Sequence, residues 1–280
     1  MELSLIFGYA LAIVVGLLLG LLGGGGSILA LPIFVYLFGI NPILATTYSL
    51  FVIGVSSLFG TFKCVKSNSI NYNALIYFGF SSVISVLLTR MYLIDLIPDS
   101  IFIFGLELSK GKVVLIFFSL IMLGAGYSMI FVDNQKIDDT KNEIENCETN
   151  DKVIGNSKIK NIFSLSFQGL IDGAITGIVG AGGGFLIVPA LVFISKLDIR
   201  IAISTSLAII SLKTIIGFLG SLNKSPNIDY IFLSVFTFLA ILGMIVGIKL
   251  SKKINPNALK KYFGIFVIIC AIYILLKELY

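Results

Sequence analysis

The sequence predicts an all-α, polytopic membrane protein made of two homologous halves, and three observations carry that prediction. Hydrophobic residues make up 57% of the chain and charged residues 12%, about half the charge that a water-facing surface carries. The apolar residues fall in long uninterrupted runs with a mean hydropathy of +1.04, and a helix needs about 20 such residues to span a bilayer. The second half of the chain also repeats the first at a fixed spacing.

The apolar runs lie at roughly 3–22, 27–40, 43–62, 73–94, 112–132, 162–180, 184–195, 200–221, 229–249 and 259–277, which gives about 8–10 membrane helices. Two of them, 27–40 and 184–195, are short, the length of half-helices or re-entrant pieces. The first run lacks the basic start of a signal peptide, Glu2 being its only early charge, and the chain stays apolar beyond it. It is therefore a retained helix. Residues 133–160 break the pattern with five lysines and seven acids, a solvated loop. The chain divides into a first membrane repeat at 1–132, a polar cytoplasmic linker at 133–160 and a second membrane repeat at 161–280.

Orientation follows from the positive-inside rule. Lys63 and Lys66, Lys196 and Arg200, and the cluster Lys249, Lys252, Lys253, Lys260 and Lys261 lie on the cytoplasmic side with the linker. Both termini are then outside, together with Arg90, Asp95, Asp99, Glu107, Lys110 and Lys112. These loop cations account for the net charge of +5, so the basic balance implies no nucleic-acid partner. There is no histidine, and the three cysteines, Cys64, Cys147 and Cys270, lie far apart. Nothing here forms a metal site, a disulfide framework or a nucleophile–base pair, and neither an enzyme nor a cofactor is expected.

The repeat appears at a spacing of 157 residues, which sets Gly20-Leu-Leu-Gly-Gly-Gly-Gly26 over Gly177-Ile-Val-Gly-Ala-Gly-Gly183. Leu29 then matches Leu186, Pro32 matches Pro189, Ala45-Thr-Thr-Tyr-Ser-Leu50 lies over Ala202-Ile-Ser-Thr-Ser-Leu207, and Gly60 matches Gly217. With five crossings per half, the second half enters from the opposite side, giving an inverted-topology repeat.

Four consecutive glycines cost a helix roughly 1 kcal/mol each against alanine. Helix breaks are therefore expected at 23–26 and 180–184, each leading into a short helix. An exposed helix N-terminus presents unpaired N–H groups and partial positive charge, and glycine admits a ligand to the backbone. Two such ends meeting from opposite sides suit an anion. Gly23, Gly24, Gly25, Gly26, Gly180, Gly182, Gly183 and Gly184 are the candidate backbone donors. Tight helix packing is the competing explanation for single glycines. The run Gly20–Ser27 lacks the lysine of a phosphate-binding loop. Hydroxyls from Ser27, Thr47, Ser49, Thr205 and Ser206 add candidate donors, against the alternative that they bond back to their own helices. Lys213 and Asp172 fall near the middle of apolar runs, where ionisable residues default to function. The two either pair with each other, or Lys213 is a candidate anion attractor and Asp172 a candidate proton carrier, with Ser56 and Val15 at the matching positions of the first half.

The paired pattern G-x-x-G-x-G-G-(x)5-P followed by Ala-x-x-(Thr/Tyr)-Ser-Leu resembles the TauE/SafE family of membrane permeases across nearly the whole chain. The resemblance implies a transporter of small anions, including sulfite, sulfonate or thiosulfate. Tyr48 departs from the family's Thr-Ser-Leu, which the second half keeps as Thr205-Ser206-Leu207. The expected protein is a secondary transporter in the plasma (inner) membrane, working by alternating access on a proton or ion gradient, with the bilayer and a small anion as its partners. The alternatives are an anion channel and a non-transporting membrane scaffold. A tag inserted at residue 145 is expected to be reached from the cytoplasm in intact cells; labelling only from outside overturns the orientation.

Overall fold

In a computed structural model, the structure describes residues 2–65, 70–96, 98, 100–103, 106–131, 153–195, 197–222, 228–251 and 256–279. Residues 133–152 of the linker, with Lys66, Asp99, Lys196, Lys252 and Lys253, lie outside the described residues. The first half comprises α1 (Glu2–Leu22), a 3-10 turn (Gly25–Leu29) leading into α2 (Ala30–Tyr36), α3 (Pro42–Val65), α4 (Tyr72–Leu88) and α5 (Lys110–Phe131). The second comprises α6 (Val153–Val179), α7 (Gly184–Ser195), α8 (Ile199–Ser221), α9 (Tyr230–Ser251) and α10 (Pro256–Leu279). The helix α6 starts inside the segment expected to be linker. Six helices among the described residues are long and apolar enough to cross a membrane, and shorter apolar helical stretches occupy Phe7–Leu22, Gly25–Tyr36 and Phe163–Val179. The chain is a polytopic, all-α membrane protein.

Two local features were not expected. The helix α4 continues through a π turn at Thr89–Leu93, and a short hairpin precedes α5, with β1 (Ser100–Ile103) antiparallel to β2 (Leu106–Ser109). The hairpin sits in the charged stretch between two apolar runs, where hydropathy gives no signal.

The two halves interleave. The helix α1 packs on α9 while α4 packs on α6, α3 packs on α8, and α5 on α10. Each pairing maps onto another, or onto itself, when the halves are exchanged by the repeat. The central pair runs antiparallel: a Cβ added at Gly60 would lie 3.4 Å from Leu207 Cδ1, and one added at Gly217 would lie 3.4 Å from Leu50 Cδ1. These are the same contact seen twice, since the repeat carries Leu50 to Leu207 and Gly60 to Gly217.

Small residues allow the tight crossings. Gly16 and Gly20 on α1 meet the backbone of Ala240 and Met244 on α9, while Gly243 and Gly247 meet Ile13 and Leu17 in return. Gly169, Gly173 and Gly177 place α6 against Phe78, Ser82 and Thr89 of the α4 segment. Here the packing explanation of membrane glycines holds: without a hydrophobic drive between helices in lipid, close backbone approach supplies the dispersion energy. The first half also gains a plug of rings. Phe34 and Phe38 after the first break stack on Phe232 and Phe236 of α9, with Phe34–Phe236 centroids 4.6 Å apart. The repeat places Leu191 and Ser195 at the matching positions.

Gly247→Leu is expected to force α1 from α9, because the Leu17 carbonyl carbon lies 3.0 Å from the added Cβ position. A loss of about 1–3 kcal/mol should appear as a lower unfolding midpoint in detergent.

Candidate anion site

The two glycine segments break the helices as expected, and the backbone explains why the residues are glycine. Gly23 and Gly24 have φ of 63° and 111°, and Gly180, Gly182 and Gly183 have φ of 73°, 70° and 63°. A β-carbon disfavours this left-handed region. The breaks touch one another at the centre of the molecule. A Cβ at Gly24 would lie 2.8 Å from Gly184 Cα, so both positions require hydrogen as side chain. Gly25 and Gly26 seat the 3-10 turn on the end of α1, Gly26 against the Leu18 and Leu19 backbone.

Each break is held by the opposite half. Ser49 Oγ on α3 shares its proton between Gly180 O at 2.5 Å and Thr46 O of its own helix at 2.9 Å, and Ser206 Oγ on α8 between Gly23 O at 2.5 Å and Ile203 O at 2.8 Å, the shorter contact crossing to the other half in each case. The repeat carries Ser49 to Ser206 and Gly23 to Gly180, so one clamp is the image of the other. Ser27 Oγ adds a bond of 2.5 Å to Ala181 O. A carbonyl freed from its helix inside a bilayer needs such a donor. In this conformation the protons of Ser27, Ser49 and Ser206 are therefore committed to backbone, and these serines act as clamps before they act as donors to any ligand.

The remaining hydroxyls follow the same logic. Thr205 Oγ1 accepts the Asn71 N–H at 3.0 Å, and Tyr48 Oη accepts the Asp229 N–H at 2.7 Å. Asn71 and Asp229 start α4 and α9, and each side chain accepts N–H groups from the first turn of its helix. The phenol of Tyr48 thus performs the same latch as Thr205, which accounts for tyrosine at that place. Thr47 turns its hydroxyl back to Ile43 O at 3.4 Å.

The second break carries charge and the first does not. Lys213 Nζ on α8 forms an ion pair with Asp172 Oδ2 on α6, and donates to Thr176 Oγ1 at 3.0 Å. All three residues are buried. Gly183 lies directly over the cluster: a Cβ there would sit 2.7 Å from Lys213 Nζ and 2.5 Å from Thr176 Oγ1. Asp172 Oδ1 has no hydrogen-bond partner among the described residues. The N–H groups of Gly182 and Gly183 also find no backbone acceptor there. Lys213, Asp172 and Gly183 therefore converge, while Gly182, the next residue along the break, faces Ile53 and Ser27. Thr176 was missed, although its place one turn beyond Asp172 puts it on the same helix face.

Arg90, counted with the outer-side charges, is buried within the bundle. It is 2% exposed, and Nη1 donates to Thr46 Oγ1 at 3.0 Å. The π turn that contains it packs on α6 and α8, so the side chain enters the bundle.

A buried core of two broken helices, clamped between interleaved halves, is the architecture of a membrane transporter. The chain belongs to the family described as sulfite exporter TauE/SafE, which it matches over residues 9–274. It is 27% identical over 269 residues to a probable membrane transporter protein of Xylella fastidiosa, covering 94% of this chain and 92% of that protein. A probable membrane transporter protein of Methanocaldococcus jannaschii is 26% identical over 269 residues, covering 89% of each chain. Another from Bacillus subtilis, YjnA, is 24% identical over 250 residues, covering 88% of this chain and 90% of that protein. No solved structure matches the chain.

Removing a clamp leaves a buried carbonyl without a donor. Ser49→Ala and Ser206→Ala are each expected to cost about 1–3 kcal/mol, with nearly equal shifts in unfolding midpoint; a neutral result for both shows that the clamps carry no stability.

Proposed function

We propose that this protein is a secondary transporter of small anions, of the sulfite, sulfonate or thiosulfate class, in the plasma membrane. The observation that carries the proposal is the Lys213 ammonium beside Gly183, on a break whose Gly182 and Gly183 N–H groups have no backbone acceptor among the described residues. An ammonium and two backbone donors suit an oxyanion, and no carboxylate other than the lysine's own partner touches them among the described residues. The family to which the chain belongs is named for sulfite export, and its relatives are named as transporters; both favour this substrate class.

Alternating access fits the same geometry. The glycines of both breaks are buried, so substrate reaches them only after part of the bundle moves. The antiparallel packing of α3 on α8 supports an inverted repeat, in which each half offers one gate of the same design. The interleaved pairs α1–α9 and α4–α6 are natural rigid units for such rocking, since their glycine crossings resist sliding. An ion gradient supplies the drive.

The test is flux in proteoliposomes with sulfite, thiosulfate, sulfate, a taurine-like sulfonate and a carboxylate. Saturable flux of a sulfur anion is expected. Gly183→Val should abolish it while the protein remains folded in the membrane, and Lys213→Met should weaken apparent affinity about tenfold or more, as loss of a buried charge-assisted contact does. Unsaturable flux identifies a channel, and no flux of any anion overturns the proposal.

A further inference from the structure

A cleft borders the short helix that follows the second break. The cleft, of about 260 Å3, lies between α5, α6 and α7, lined by Gly124, Ser128, Gln168, Phe185, Pro189 and Ile194 among others. Ser128 lies near the end of α5, Gln168 just past the middle of α6 and Ile194 at the end of α7. The cleft therefore extends toward the ends of α5 and α7, the side where the chain passes from α5 to α6. Gln168, Asp172 and Thr176 follow one another at four-residue intervals, a single stripe along α6 with steps of about 6 Å. Gln168 is half-buried in the cleft, while Asp172 and Thr176 are 2% and 1% exposed. The stripe thus leads from the cleft to the orphan Oδ1 of Asp172.

The first half carries the same scaffold with the polarity erased. The repeat places Leu11, Val15 and Leu19 at the positions of Gln168, Asp172 and Thr176, and Ser56 at that of Lys213. Phe34 and Phe38, which follow the first break, pack on Phe232 and Phe236 of α9. A merely structural stripe would have no reason to exist in one repeat alone.

We infer that Gln168, Asp172 and Thr176 form a one-sided proton half-channel, and that Asp172 is the proton-binding site that couples transport. The inference rests on the anion-transport reading above. A proton suits the site better than a metal ion. Asp172 offers one unpartnered oxygen beside an ammonium, whereas a hard cation needs about six oxygens. The charged groups around Asp172 on the packed elements are Lys213 of α8 in direct contact and Arg90 on the π turn of α4, which bonds Thr46. Neither α7 nor the end of α5 presents a titratable side chain in the cleft lining.

Charge balance sets the cycle. In the empty carrier, the Asp172 carboxylate neutralises Lys213. A proton arriving from water in the cleft binds Asp172, the ion pair opens, and the Lys213 ammonium is released to an incoming monoanion at Gly182 and Gly183. Empty and loaded sites are both neutral, so both can reorient without moving a bare charge through a low-dielectric core. Proton and anion therefore travel together, one for one and electroneutrally. Departure of the anion returns Lys213 to Asp172 and expels the proton on the far side.

The tests separate this inference from the transport reading. In membranes, a hydrophobic carbodiimide should modify Asp172 with a yield that rises as pH falls. Gln168→Leu, which copies the first half, should slow that modification about tenfold by drying the path. With the native cysteines replaced, Gln168→Cys should react with an impermeant thiol reagent from one side only, and Leu11→Cys from neither. In proteoliposomes, movement of a panel anion should carry protons in equal number, and Asp172→Asn should raise the ratio of anion exchange to net flux about tenfold or more, because the empty carrier then holds an unpaired cation. Labelling of position 168 from both sides or neither, pH-independent modification of Asp172, or anion flux without protons overturns the half-channel. No anion flux alongside pH-dependent modification of Asp172 overturns the transport reading and leaves the proton site standing.

Discussion

The reciprocal bonds from Ser49 to Gly180 and from Ser206 to Gly23 are the constraint around which this molecule is arranged. A helix broken inside a bilayer leaves carbonyls that neither water nor lipid can satisfy. Here each half supplies the missing donor for the other. That exchange requires α3 and α8 to cross at the centre, because they carry the two serines. It requires the breaks to lie back to back, which only hydrogen side chains at Gly24 and Gly184 allow. It also explains why the halves interleave, with α1 given to α9 and α4 to α6: a half folded on its own would leave its break without a donor.

Symmetry in the scaffold coexists with asymmetry in the filling. The clamps and the Thr205 and Tyr48 latches obey the repeat closely, the latter with different side chains reaching the same kind of N–H group. The ion pair, the polar stripe and the cleft do not. Geometry is thus held by backbone-directed bonds common to both repeats, while the chemistry is carried by side chains that one repeat has and the other lacks. Duplication provides two broken helices at low cost in new sequence. Divergence at positions such as Val15/Asp172 and Ser56/Lys213 then gives one of them a buried ion pair.

Much of this was legible in the sequence, for identifiable reasons. Hydropathy marks long membrane helices because lipid demands apolar surface on every side, and the glycine runs mark breaks because no other residue takes the backbone at Gly23 or Gly183 without strain. The matched spacing exposed the repeat. Lys213 and Asp172 stood out because buried charge is rare. What stayed hidden depends on direction and partnership. The hydroxyls of Ser49 and Ser206 looked like ligand donors, since composition cannot tell whether a proton points to a ligand or to a carbonyl across the bundle. Arg90 looked like a loop cation because it sits near the end of an apolar run, and nothing in the sequence announces a π turn. The hairpin before α5 had no hydropathic signature. Tyr48 stood as a departure from the family's threonine, and its longer reach meets the same requirement.

The parallel pairing of α1 with α9 has a consequence for how the protein is made. The first helix leaves the ribosome long before its partner, and the glycine face of α1, with Gly16 and Gly20 flush against Ala240 and Met244 in the finished protein, must wait in lipid through most of synthesis. During that interval the first break has no serine from α8 to hold it. The nascent first half is therefore an unsealed intermediate whose completion depends on the last part of the message, so a truncated transcript should yield a chain for membrane quality control rather than a smaller working protein.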